Sequence, residues 1–286
     1  MEYEPRYASA QEEPAGQNPP DGAIFNYFLK ENAKNAVILE ILDNNKQIVR
    51  RFSSDDKPYK IPNDNTPPYW IRPQQILSAA AGSHRFTWDL HYAPLDLSPA
   101  YPIAATFQQT TPDPTSPWIL AGEYVVKLTV NGKTYQQPLS IRMDPRVKTA
   151  ASDLKKQHDL SLACYKNRLQ ITSILKEMDG LKTQLKNIVL PKKEHPIGDK
   201  IKATETTISA LETVKPSGKS LDAAFASIYN ILHDTDMSPT TQTVAAAIDT
   251  QKAFDEWVKK WADVKGKDVA TLNEVLKKLK LKAIGF

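Results

Sequence analysis

The chain is poor in the residue types from which most reactive sites are built. One cysteine, Cys164, stands among 286 residues, which excludes an intrachain disulfide and a cysteine-based zinc cluster. Cys164 lies in a helical pattern with neither a neighbouring histidine nor a helix N-terminus to lower its pKa, so it reads as a packing residue rather than a nucleophile. The 10 glycines form no phosphate-cradling loop and no Gly-x-Ser-x-Gly elbow, and no His-Glu-x-x-His sequence occurs. His158, His195 and His233 are not at i, i+3 or i, i+4 spacing to one another, and the Glu-x-x-His signature of di-metal bundles is absent. No metal, cofactor or catalytic residue is expected. No stretch approaches the roughly 18 unbroken apolar residues of a membrane helix. The opening Met1-Glu2-Tyr3-Glu4-Pro5-Arg6 lacks the basic and apolar regions of a secretory signal, so export would require a longer precursor.

The main feature present is a change of hydrophobic period near Met143-Asp144-Pro145-Arg146. Before it apolar residues alternate as in strands, and after it they recur every three or four residues as in helices. Charge divides similarly: residues 1–149 carry a net charge of −1 and residues 150–286 of +5. The lysines of the second half are interspersed with acids, as on solvated helix faces, with no basic stripe interleaved with aromatics, so no nucleic-acid partner is expected.

Residues 1–21 are polar and proline-bearing and read as a linker. Residues 22–146 read as an antiparallel β-sandwich. Ala23–Lys30 alternates with aromatics on both faces, which predicts a covered strand. Residues 36–42 and 47–52 flank the Asx-rich turn Asp43-Asn44-Asn45-Lys46, and Asn131-Gly132 between alternating runs predicts a type I′ hairpin. Trp88, in the run Gly82–Leu90, reads as a core anchor. Of 21 prolines, 17 precede residue 150, and most fall in residues 55–78 and 91–117, which read as long ordered loops. Six or seven short strands of this kind imply an antiparallel sandwich of immunoglobulin or fibronectin type without the disulfide.

Residues 147–286 read as an up-and-down helical bundle. A first helix of some forty residues runs from about Thr149 until Pro191 stops it. A second spans about Asp199–Val214, and a third is capped by Ser220 with Leu221, Phe225, Ile228 and Leu232 buried. A fourth opens at Ser238-Pro239 with Val244, Ile248, Phe254, Val258 and Trp261 inward, and a fifth covers about Asp268–Lys282. The fold class is thus α+β with segregated domains.

Candidate sites are few. His84, Asp89 and His91 crowd together, but His84 has the opposite strand parity and no third carboxylate is in register, so turn chemistry is the better reading. Asp43-Asn44-Asn45 and Asp55-Asp56 lack the glycine and terminal glutamate of a calcium loop. The aromatics of the proline-rich loops, Tyr69, Trp70, Tyr92, Tyr101 and Trp118, either pin those loops down or contact a partner's pocket or a sugar face.

The succession Val37–Asp43, Ile48–Phe52, Gly82–Asp89 and Ala121–Leu128 resembles the Ig-like repeat of flagellar hook-capping proteins. With Asp21-Gly22-Ala23-Ile24, Pro68-Tyr69-Trp70, His84–Tyr92, Met143–Val147 and Gln242–Ala247, it is similar to a large bacterial family described as Asp-box (BNR) repeat or sortilin-like β-propeller proteins, often labelled glycosyl hydrolases. The likeness covers nearly the whole chain but only the region that follows the propeller in that family. The Asp-box pattern Ser-x-Asp-x-Gly-x-Thr-Trp does not occur here, so the resemblance implies that any hydrolase site belongs to the propeller. It also implies that the chain is part of a longer or split protein and that its setting is periplasmic or extracellular. The expected function is a non-catalytic accessory region that docks against a β-propeller or other protein. The alternatives are a carbohydrate-binding module using the loop aromatics and a cryptic glycosyl hydrolase.

Overall fold

A computed structural model describes residues 22–58, 61, 67–97, 99–101, 110–189 and 197–285. The 1–21 linker, Pro191, His195 and much of the two proline-rich loops lie outside them. The architecture is α+β, with two antiparallel sheets in the N-terminal half and helices in the C-terminal half. Contacts divide the chain into two compact units. Among the described residues, one comprises those within 22–91, residue 110 and 125–138, the other those within 92–101, 111–124 and 139–285. Two segments that connect strands, together with the start of β5 and the end of β6, therefore belong with the helices.

Strands β1 (Ala23–Leu29) and β4 (Gly82–Trp88) form a two-stranded sheet. A four-stranded sheet has the order β3-β2-β5-β6, where β2 is Ile38–Leu42, β3 Ile48–Ser53, β5 Gly122–Val130 and β6 Lys133–Ile141. The pleat sends Leu39 and Ile41 of β2 and Val126 of β5 to one buried side, in the register Ile41↔Val126. On the opposite side the Glu40↔Lys127 pair closes an ion pair at 2.8 Å. Trp88 is fully buried and donates its indole N–H to the His91 carbonyl at 2.9 Å. The Phe52 and Phe86 rings meet edge-on at 4.7 Å, joining a strand of each sheet.

Strand β1 is not covered on both sides as its aromatics predict. Phe28 is 69% exposed and Ile24 41%. A two-stranded sheet has two faces, and on the one opposite Phe86 and Trp88 the residues Ile24, Asn26, Phe28, Ser83 and Arg85 are all exposed.

Asn131 and Gly132 both have positive φ, 47° and 77°, as the type I′ turn requires. The bonds Thr129–Thr134 and Ser140–Glu123 share one register, which sets Pro138 opposite Val125. Counting from the turn, that pair is not hydrogen-bonded, so the missing proline N–H falls on the outer edge of β6, where it costs no ladder bond and blunts an open edge.

Helix α1 (Ala151–Lys186) has 36 residues, about 54 Å at 1.5 Å per residue. It packs most extensively on α3 (Gly218–His233), which in turn packs on α4 (Thr241–Asp263). Helix α2 (Ile197–Thr213) and α5 (Ala270–Lys278) complete the set, and a π-helical turn, Val264–Val269, runs without a break from α4 into α5. Among the described residues no helix is long and apolar enough to cross a membrane.

Three helix starts or faces differ from expectation. The N-cap of α3 is Ser217, not Ser220: Ser217 accepts from the Ser220 N–H while Ser220 accepts from the Ser217 N–H, a reciprocal capping box. Helix α4 is capped by Thr240, which accepts from the Thr243 N–H at 3.1 Å, rather than by Ser238. Ile248 is 62% exposed, and the inward stripe is instead Thr243, Ala247, Phe254, Trp257 and Trp261.

Candidate interaction site

In the second unit, residues 92–101 and 111–124 are tied to α1 and α3 by tyrosine hydroxyls that donate to loop carbonyls. Tyr165 of α1 donates to the Ala93 carbonyl and Tyr229 of α3 to the Ser116 carbonyl, each at 2.8 Å. The two segments also hold each other. Ser116 Oγ donates to the Tyr92 carbonyl at 2.8 Å, the Tyr92 N–H to the Pro117 carbonyl at 3.1 Å, and the Leu95 N–H to Thr115 Oγ1 at 2.9 Å. Proline at 94, 112, 114 and 117 restricts φ and removes donors, so the remaining loop carbonyls need external partners, and buried tyrosines supply two.

The candidate aromatics divide between the two units. Tyr69 and Trp70 belong to the first unit, on the 3₁₀ turn Pro68–Trp70, with ring centroids 6.4 Å apart and Tyr69 65% exposed. Tyr92, Tyr101 and Trp118 belong to the second. Tyr92 is half-buried; its hydroxyl lies 3.3 Å from His158 Nε2 and its ring 6.3 Å from that of Tyr165. Tyr101 is half-buried. Trp118 lies nearly parallel to His233, at 14° and 5.8 Å, yet stays 47% exposed.

Burial holds His158 and His233 below the usual histidine range. At His158, Lys155 and Lys166 act in the same direction and Asp159 opposes; at His233, Asp234 and Asp236 oppose. Both rings are therefore neutral at pH 7, which suits an imidazole stacked on indole. Because the unfolded chain takes up protons on these groups at a higher pH than the folded one, stability rises with pH across their range. It is complete above about 6.5, the unperturbed value, and declines as pH falls below that. The thermal midpoint is expected to be lower at pH 5.3 than at pH 7.5, in a window above ordinary carboxylate titration, and His158→Gln/His233→Gln should flatten the difference. Calorimetry at the two pH values checks this.

The remaining sequence candidates serve local structure. His84 Nε2 lies 2.7 Å from the Ala80 carbonyl and His91 Nδ1 2.9 Å from the Asp89 carbonyl. Asp43 Oδ1 accepts from Asn45 and Gln47 N–H, and Asp56 Oδ2 from the Ser53 N–H. Burial pushes the Cys164 thiol up to about 11. Among the described residues no three His, Cys, Asp or Glu side chains gather as metal ligands would.

Sequence reasoning did not single out Tyr165, Tyr229, His158 and His233 for this site. Their partners lie 72 and 113 residues away along the chain for the two tyrosines, and the one local hint was Tyr229 four residues after Phe225 on a buried face.

No protein-family model matches the chain, and a search of curated proteins likewise returns no match.

Proposed function

We propose that the chain is a non-catalytic interaction module, an Ig-like sandwich joined to a helical bundle, that docks a β-propeller or another protein partner of an exported bacterial protein. The observation that carries the reading is Trp118. Its indole is oriented by His233 and half exposed, on loops fastened by Tyr165, Tyr229 and Ser116. A large ring held in place on a fixed loop loses little conformational freedom on binding, which is the character of an interface anchor. The sandwich reading draws support from the Phe52–Phe86 contact, the bundle from α1 packing on α3 and α3 on α4. The propeller as partner, and a periplasmic or extracellular setting, rest on the sequence resemblance.

The test is co-purification with a propeller from the resembled family, followed by titration. Trp118→Ala should weaken association tenfold or more, about 1.4 kcal/mol, with the thermal midpoint little changed. No association, or association indifferent to both Trp118→Ala and Tyr69→Ala, would refute the reading. A second reading is a carbohydrate-binding module, favoured by the same ring, since an indole that is 47% exposed can pack on a sugar face. Binding on a glycan array that is lost in Trp118→Ala would select it.

A further inference from the structure

The residues after α5 are held in an unusual way. Helix α5 closes with a Schellman motif: the Leu281 N–H donates to the Leu276 carbonyl at 2.9 Å and the Lys280 N–H to the Lys277 carbonyl at 3.1 Å, with Lys280 at φ 57° where glycine is usual. The chain then turns back, and two side-chain amides grip two consecutive residues. Asn273 of α5 donates to the Ile284 carbonyl and accepts from the Ile284 N–H, both at 2.8 Å. Gln184, in the last turn of α1, donates to the Gly285 carbonyl at 2.7 Å and accepts from the Gly285 N–H at 3.0 Å. Each amide takes the place that a neighbouring peptide group would occupy in a β-ladder. Within residues 282–285 only Ile284 is buried, at 6% exposure. An open groove of about 510 Å³ lies alongside, lined on one face of α5 by Ala270, Asn273, Glu274 and Lys277.

Four bonds to backbone and one buried aliphatic side chain are the features of a site that reads an extended peptide. Nothing in those bonds depends on the identity of Gly285, and nothing in them requires that the peptide belong to the same molecule. We propose that the cleft between Gln184 and Asn273 is a peptide-binding site, filled in cis by residues 281–285, and that its occupant in trans is the same segment of a second copy of this chain. Exchange of an identical element needs no new contacts. The hinge is Lys280, held at a φ that a lysine adopts at a cost. Tethering gives the cis segment an effective concentration in the millimolar range, so a dilute protein closes on itself and exchange appears when the cis arm is removed.

Complementation tests this in the full chain. Ile284→Asp leaves a cleft without a ligand, whereas Gln184→Ala/Asn273→Ala leaves a ligand without a cleft. Each should be monomeric alone, and their mixture should form a one-to-one heterodimer by light scattering. A labelled heptapeptide with the sequence of residues 279–285 should raise its anisotropy with Ile284→Asp, should bind at least tenfold more weakly when its isoleucine is aspartate, and should displace the heterodimer. If the variants show cooperative unfolding but neither peptide binding nor heterodimer follows, the proposal is overturned. Peptide binding without the heterodimer overturns the second copy as occupant and leaves the cleft. Should Ile284→Asp not fold, Ile284→Ala takes its place. Failure of both to fold also overturns the proposal, because a segment that cannot leave without unfolding the core is not an exchangeable ligand.

Discussion

Trp257→Ala is expected to destabilise the helical unit by about 3–5 kcal/mol, the range for truncating a large buried aromatic. The side chain is 1% exposed and stacks on Phe254 with ring centroids 6.2 Å apart. Its indole N–H donates to the Leu211 carbonyl at 2.9 Å. Leu211 stands two residues before the end of α2 at Thr213, where helix carbonyls lack intrahelical donors, so the indole acts as a cap from another helix. Alanine would remove that donor and open a cavity among Phe254, Gly218 and Leu175 together. Trp257→Phe separates the two effects: it keeps most of the packing, loses the donor, and should cost about 1–3 kcal/mol. Urea unfolding followed at 222 nm measures both. A loss below about 1 kcal/mol in Trp257→Ala would contradict the packing described.

Gly22→Ala should cost at least about 3 kcal/mol, because backbone strain of about 1–3 kcal/mol is joined by a steric clash. Gly22 has φ +123°, and a Cβ there would sit 2.0 Å from the Trp88 carbonyl oxygen and 2.8 Å from its carbon. Those are backbone atoms at the first rung of the β1–β4 ladder, Ala23↔Trp88, so relief requires moving a strand whose anchor is fully buried. Gly82 at the other end of the same ladder supplies the control. Its φ is +119°, but a Cβ would meet nothing within 4 Å. Gly82→Ala therefore reports the conformational term alone, about 1–3 kcal/mol. Denaturation followed by tryptophan fluorescence distinguishes the two, and equal losses would show that the contact with Trp88 is immaterial.

Local signals were read well where local chemistry decides. Asn131-Gly132 is a turn with both residues at positive φ, and Asp43 organises its turn through its own carboxylate. The signals misled where two neighbouring residues were equally good candidates. Ser217 and Ser220 can both cap, as can Ser238 and Thr240. At α3 a packing contact accompanies the earlier cap: Gly218 occupies the first helical position, and a Cβ there would lie 2.8 Å from the Trp257 ring and 2.9 Å from Leu175. Gly218 is a point of close approach inside the helix. The phase of α4 has a similar origin. Phe254, Trp257 and Trp261 are nearly fully buried, and their common direction places Ala247 inward and Ile248 outward. The end of α5 at Lys278, short of the Lys282 that apolar spacing suggests, was illegible because a lysine at the left-handed position gives no warning of a Schellman motif.

The alternation and three-to-four spacing of apolar residues, and the turn dipeptides, were enough by themselves to specify strands before residue 143 and helices after 150, since periodicity and turn propensity act over a few residues. The tertiary structure alone decided which loop segments join the helices, which aromatics stay exposed, and which amides grip residues 284 and 285. Those outcomes depend on hydrogen bonds between groups 11 to 113 residues apart. Such bonds leave no periodic trace in a sequence, because a tyrosine hydroxyl or a side-chain amide satisfies whichever unpaired carbonyl the fold brings within reach.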